Sequence, residues 1–448
     1  MSSAKPKQLA LLTDRHFYPL FWTQFGGAFN DNFYKSALMM LFTYSGVSLW
    51  GQGVDVLNNV VAACLIVPFL FFAPLVGQFA DRLDKAMLAR LIKLGEVAVM
   101  LLGGVAFYLQ SPALLLLVVL GTGIQSACFS PVKYSLVPQL VQPAQLTAAN
   151  GVLHSGTSLA VFCGLIAGTV VMQFDSGGVV VGVGGVLIAL GGWYSSRFIE
   201  PAPAALNAPP LMRNPLRQFA RSFVYARESR VVFSSILAFS WYWFLGSVYL
   251  TQLPNFTREL LAGEGSVVTC LLVAFLLGVC SGALACHRLS RAKVDPAVVL
   301  LGGALIAVFS ADLAFAGQQF AAQYSAGGEL FGLAEQLQRP LFGRIVLDVL
   351  LLGVAGGLYS VPLQAMMQQQ SLPEYRGQII GVNNVMNALF MMASAVSAIV
   401  FLGKLDFTIP HFFLLTTVLH SVIIVLLLVF EPVFLQRLRE RVGVKRKL

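Results

Sequence analysis

Residues 60–85 read VVAACLIVPFLFFAPLVGQFADRLDK, and the change of character inside this stretch decides the fold. A long apolar run gives way at Gly77-Gln78-Phe79-Ala80-Asp81-Arg82-Leu83-Asp84-Lys85, and after Arg90 a second apolar run extends from Val97 to Tyr108. A transmembrane β-barrel would alternate apolar and polar residues over segments of about 10 residues. The continuous runs here predict helices near 54–80 and 88–109, each long enough to cross ~30 Å of hydrocarbon. The polar stretch is then a turn between two membrane-spanning helices.

The whole chain has this character. Of its 448 residues, 57% are apolar and 11% are charged, against roughly 45–50% and about 25% in soluble proteins. So few charges cannot cover a water-exposed surface, which excludes a soluble enzyme or a nucleic-acid binder. Apolar runs predict further spans near 17–44, 112–137, 147–173 and 178–197, then 230–254, 264–287, 295–316, 341–368, 377–403 and 409–431. The expected fold is all-α and integral to the membrane, with about twelve helices in two six-helix halves. Residues 1–197 form the first half, 198–229 a linker, 230–435 the second half and 436–448 a basic tail. The segment Gly317 to Pro340 is too polar to span. Its Phe320, Tyr324, Leu330, Phe331, Leu333 and Leu337 suit either an amphipathic interfacial helix or a plain loop.

The net charge of +9 is a matter of topology. Placing both termini in the cytoplasm puts 23 basic residues on that side, including Lys5, Lys7, Arg82, Lys85, Arg90, Lys93 and the tail, and four on the other. This is the asymmetry that the positive-inside rule demands. Lys35 and Lys133 remain inside spans. The run after Lys5 and Lys7 has no clear cleavage site and is read as the first retained span. Cys64, Cys128, Cys163, Cys270, Cys280 and Cys286 lie in or beside apolar spans without metal-binding spacing, and read as free thiols. No P-loop or histidine cluster is present, so neither cofactor nor metal is expected.

An internal repeat appears at an offset of 230 residues. Gly123 recurs as Gly353, Phe129-Ser130 as Tyr359-Ser360, Pro143 as Pro373, and Gly151-Val152 as Gly381-Val382. Two halves related by an axis along the membrane normal would produce it.

Ionisable groups inside spans mark function by default, because each costs roughly 2.5–3.5 kcal/mol on insertion scales. Asp31 and Lys35 share one helical face of the first span, flanked by Asn30 and Asn32. Lys133 and Tyr134 lie in the fourth. Tyr242 and Tyr249 share a face of span seven, and Asn383, Asn384 and Asn387 cluster in span eleven. The aromatics serve either binding or packing, the amides either binding or interhelical hydrogen bonds. Asp31 either carries the binding role or pairs with a lysine only to neutralise itself. Asp312 and the pair Arg344 and Asp348 read as structural.

The turn Gly77 to Lys85 resembles the loop signature of the major facilitator superfamily, with Asp84 where a second glycine is usual. The resemblance implies a conformational latch made by Gly77, Asp81, Arg82 and Lys85, with the aspartate at a neighbouring helix N-terminus. The matching place in the second half, Gly282 to His287, has Cys286 for the aspartate and lacks a full latch. In this superfamily spans one, four, seven and ten line the cavity, so Asp31 and Lys133 would face one aqueous space.

Two further stretches are similar to the bacterial lysophospholipid transporters: Gln24 to Asn32, with Phe29, Asp31 and Asn32 matching, and Phe129 to Tyr134, with Pro131, Lys133 and Tyr134 matching. Some members carry an arginine in span seven. This chain has none from Tyr242 to Gln252 and resembles the branch reading Leu-x-Gln-x-Pro, here Leu250 to Pro254. The resemblance implies a monomeric flippase, not an enzyme, moving lysophosphatidylethanolamine from the outer to the inner leaflet of the bacterial inner membrane by alternating access. A separate acyltransferase would then restore the second chain. The alternatives are a proton-coupled exporter of drugs or small metabolites with Asp31 as carrier, and a non-transporting membrane partner or scaffold for an acyltransferase.

Overall fold

The computed structural model describes residues 8–44, 54–290, 293–324 and 329–442. Lys5, Lys7, Arg291 and the end of the basic tail lie outside them. The first six spans are α1 (Tyr18–Tyr44), α2 (Val54–Arg82), α3 (Lys85–Tyr108), α4 (Pro112–Leu140), α5 (Leu146–Val171) and α6 (Gly177–Ser196). A further helix, α7 (Pro215–Glu228), stands within the expected linker. The later spans are α8 (Arg230–Leu260), α9 (Gly265–Leu289), α10 (Pro296–Gln323), α12 (Pro340–Gln370), α13 (Arg376–Ala398) and α14 (Ile409–Phe430). A single turn, α11 (Leu333–Gln336), precedes α12, and α15 (Pro432–Val442) closes the chain.

Eleven of the described helices are long and apolar enough to cross a membrane. The remaining one of spanning length, α1, has 27 residues, enough for ~40 Å at 1.5 Å per residue. It falls short in apolarity because it carries Gln24, Asn30, Asp31, Asn32 and Lys35, the residues singled out above. Twelve helices of spanning length and no strand among the described residues give the expected all-α membrane fold.

Three segments depart from the sequence reading. Pro254 does not end α8, which continues to Leu260. The run 317–323 belongs to α10, so Gly317 to Pro340 is not one interfacial helix. Its aromatic rings gather on a cation instead: the Arg339 guanidinium lies 4.1 Å from the Phe331 ring and 5.1 Å from that of Tyr324. The linker helix α7 begins at Asn214-Pro215, where the asparagine side chain accepts from the Leu216 and Arg217 amides at 3.0 and 3.1 Å. This is an ordinary N-cap followed by proline at the first helical position.

By contact the chain forms two compact units, residues 1–229 with 368–388, and residues 230–367 with 389–448. Each unit uses glycine for close helix contact, and the repeat pair shows how. A Cβ on Gly123 of α4 would overlap Cys64 O on α2, and one on Gly353 of α12 would overlap Phe275 O on α9. Equivalent helices thus meet at equivalent glycines, which accounts for the conservation of this residue between the two halves of the sequence. In the first unit α1 packs on α5 and α6, α2 on α4, and α3 on α4 and α6.

Gly123→Val and Gly353→Val should each lower stability by about 1–3 kcal/mol through overpacking. Gly95→Ala, whose added Cβ meets nothing within 4 Å, should be neutral or stabilising by up to about 1 kcal/mol. Thermal unfolding of the purified variants reads both effects.

Candidate functional site

The polar residues of the first unit form two groups. One lies inside the helices. Glu96 and Lys93, three residues apart on α3, form an ion pair of 2.6 Å in which both side chains are 1% exposed. Gln125 of α4 donates to Glu96 Oε2 at 2.9 Å, and Asn30 of α1 donates to Oε1 at 3.5 Å and to Gly185 O at 3.2 Å. The Lys93 ammonium sits 4.8 Å from the Phe129 ring and fills the space that a Cβ on Gly27 would need. A buried pair of this kind persists only when hydrogen bonds occupy its remaining atoms. Here Gln125 and Asn30 occupy the carboxylate, and the Phe129 ring faces the ammonium.

Beside it stands Asp31, which accepts a hydrogen bond from Ser126 Oγ and is within electrostatic reach of Glu96, Lys93 and Lys133. Its Oδ1 is enclosed and receives no protein donor. Lys133 is half-buried, its ammonium 4.3 Å from the Tyr134 ring, and no carboxylate lies within ion-pair distance among the described residues. One carboxylate and one ammonium are therefore left with unspent capacity in a largely desolvated place.

The other expected residues are placed more variously. Lys35, one turn beyond Asp31, takes no part in this network. Asn32 donates back to Ala28 O at 2.8 Å, and Asn30 is wholly buried in the Glu96 network. Asn384 of α13 exchanges hydrogen bonds with Ser130 of α4 at 2.9 and 3.2 Å, so it is an interhelical tie. Asn383 and Asn387 are buried, and Asn383 Oδ1 lacks a donor. In the second unit Tyr249 is buried with its hydroxyl bonded to Ser310, and Tyr242 lies against Gly356.

Lys93, Glu96 and Gln125 escaped the sequence reading, which counted Lys93 with the basic turn. The available signal was opposite charges at i and i+3 within an otherwise apolar helix.

The second group is the turn between α2 and α3. Asp81 accepts from the Gly377 and Gln378 amides at 2.6 and 3.1 Å and from Gln378 Nε2 at 3.3 Å, capping the N-terminus of α13. Gly77 lies against Gly377 O, where no Cβ fits. Arg82 turns elsewhere: its Nε donates to Pro209 O at 2.7 Å and its Nη2 to Ala208 O at 3.3 Å. Lys85 donates through Nζ to Pro203 O at 3.4 Å and through its amide to Ala202 O at 2.9 Å. Asp84 caps α3 by accepting from Met87 N at 2.8 Å, and takes the Ala202 amide at 2.9 Å. The linker is thus strapped to the turn. It ends in α7, where Tyr225 stacks on Tyr375 at 4.6 Å and the Tyr375 hydroxyl donates to Glu228 at 2.8 Å. Desolvation and the Glu228 carboxylate push that phenol up to about 12, so it remains a donor. In the second half Cys286 is buried among Ala283, Val298, Leu358 and Val361.

The model of the Major Facilitator Superfamily matches residues 17–395. Among curated proteins, the chain is 26% identical over 407 residues to the Lysophospholipid transporter LplT of Yersinia enterocolitica, covering 88% of this chain and 89% of that one. It is 25% identical over 393 residues to the protein of the same name from Escherichia coli K12, covering 85% and 87%. The human organic anion transporter MFSD10 superposes with a TM-score of 0.69 at 18% identity over 92% of this chain and 99% of that one. FucP, in the outward conformation, gives 0.66 at 14% identity over 94% and 98%. These two structures bear on the fold alone.

Glu96→Gln should cost about 3–5 kcal/mol of stability, because it leaves the Lys93 ammonium buried without its carboxylate. Adding Lys93→Gln should recover most of that loss. A single variant that unfolds within about 1 kcal/mol of the parent would show that the pair is not desolvated.

Proposed function

Because the chain belongs to the Major Facilitator Superfamily and is a multi-pass membrane transporter, we propose that it moves a lysophospholipid between leaflets of the bacterial inner membrane by alternating access. The observation that carries this reading is the pair of unspent charges, Asp31 and Lys133, beside a closed Lys93–Glu96 pair. A lysophosphatidylethanolamine head group carries one ammonium and one phosphate. Asp31 meets the ammonium and Lys133 the phosphate, while the apolar chain remains among helices and lipid. The neutralised Lys93–Glu96 pair shapes the site without competing for ligand. Similarity to proteins named lysophospholipid transporter over 85–88% of the chain supports this choice of substrate.

Movement runs from the outer to the inner leaflet, with both termini cytoplasmic and the Asp81 latch at the cytoplasmic end. Asp81 seated on the Gly377 and Gln378 amides is one state of the latch. Leaving those amides is the other state. The protein acts as a monomer, carries out no covalent chemistry, and leaves reacylation to a separate acyltransferase.

Proteoliposomes with lysophosphatidylethanolamine labelled in one leaflet test the reading. The parent protein should accelerate transbilayer movement, and Asp31→Asn and Lys133→Ala should each reduce the rate at least about tenfold, the equivalent of one lost interaction of about 1.4 kcal/mol. Movement no faster than in empty liposomes, with folded protein confirmed, would favour the proton-coupled exporter.

A further inference from the structure

A second set of charges, on α10 and α12 of the second unit, plays no part in that scheme. Arg344 Nε donates to Asp312 Oδ2 at 3.1 Å, its Nη2 donates to Asp312 Oδ1, and its Nη1 donates to Gln319 Oε1 at 3.1 Å. Arg344 is 41% exposed and Asp312 36%, and together they are neutral. One turn further along α12, Asp348 adds another carboxyl that is 3% exposed. It lies within electrostatic reach of Asp312 and Arg344, and no protein donor reaches its Oδ2.

An ionised carboxylate only accepts, so Asp348 can donate to Asp312 only when it carries a proton. Arg344 donates to both oxygens of Asp312 and holds it as the carboxylate, so of the two carboxyls Asp348 is the one placed to bind a proton. The charge count agrees. Two carboxylates and one guanidinium would leave a net negative charge within the helices, and neighbouring carboxylates cannot readily both ionise. One bound proton removes both difficulties.

The surrounding groups are otherwise engaged. Arg339, at the start of α12, is spent on the rings of Phe331 and Tyr324. Tyr249 of α8 and Thr417 of α14 both bond Ser310 of α10. From α9, Gly278 packs on Leu350 O. Asp312 and Arg344 are the charged groups that act on Asp348 among the described residues.

We propose that Asp348, joined to the Asp312–Arg344 pair, is a proton-binding site of this transporter. Binding adds a proton to the Asp348 carboxylate, and the new O–H donates to Asp312. Release returns a second carboxylate beside Asp312, so the two compete for Arg344 and the contact between α10 and α12 is weakened. Proton occupancy thereby biases the packing of two membrane-spanning helices. Asp312 and Arg344 are part-exposed, whereas Asp348 is buried.

Infrared spectra of the full chain in lipid, recorded in light and heavy water, test this without any substrate. The parent protein near neutral pH should show a protonated-carboxyl C=O stretch that shifts on deuteration and disappears reversibly as pH is raised. Asp348→Asn, which keeps the shape of the protonated side chain, should lose that band. Asp312→Asn should lose it too, because Arg344 then pairs with an ionised Asp348. Asp348→Glu should keep a displaced band, and thermal unfolding checks that each variant is folded. The proposal is overturned if the parent's reversible pH titration shows no such band, if the band survives Asp348→Asn, or if sodium ions remove it at constant pH.

Discussion

The carboxylate of Asp81 sits at the exposed amides of a helix N-terminus, and the architecture of the first unit depends on that contact. The first amides of α13 have no partner within their own helix and carry the positive end of its dipole. Asp81 supplies acceptors for three N–H groups there, Gly77 and Gly377 let the backbones approach, and Gln378 also receives Ser222 of α7 as a donor at 3.1 Å. The latch therefore joins three parts of the chain: the end of α2, the start of α13 and the linker helix. Arg82, Lys85 and Asp84 extend it along the linker by holding its carbonyls and one amide. In the proposed alternating-access cycle, a contact of so few atoms would be released as a unit.

Deeper in the same unit the arrangement of charge follows from the cost of placing ions in hydrocarbon. Lys93 and Glu96 neutralise one another and are enclosed by Gln125, Asn30 and Phe129. Asp31 and Lys133 stand beside them with capacity left over. The contrast between a satisfied pair and an unsatisfied one separates the residues that hold the helices from those proposed to meet a ligand. In the second unit the excess carboxyl at Asp348 has the same logic with a proton as the missing partner.

Much of this was legible in the residues alone. The spans followed from apolar runs because hydrocarbon leaves few alternatives, and the positions of α1 to α6 differ from the sequence reading by three residues or fewer. Asp81 was readable because its signature and its place before α3 agreed. The roles of Arg82 and Lys85 were not, since their partners are backbone carbonyls at 203–209, which no side-chain pattern reveals. Asp84 departs from the signature because it caps α3 and holds Ala202, a task that glycine cannot perform. Lys93 was misassigned because it stands near the end of an apolar run, and only Glu96 three residues later marks it as buried. Asp312, Arg344 and Asp348 were visible as charges, but their unequal exposure and the missing donor at Asp348 needed coordinates.

Distance measurement between spin labels at Leu83 and Leu372, with the six native cysteines replaced, tests the central claim most directly. Both positions are exposed and flank the latch. The account predicts a short, narrow distance in the resting protein, a longer component on adding lysophosphatidylethanolamine, and a shift to that longer component without ligand in Asp81→Asn. A distribution unchanged by both the lipid and the substitution would contradict a latch that works by Asp81 capping α13.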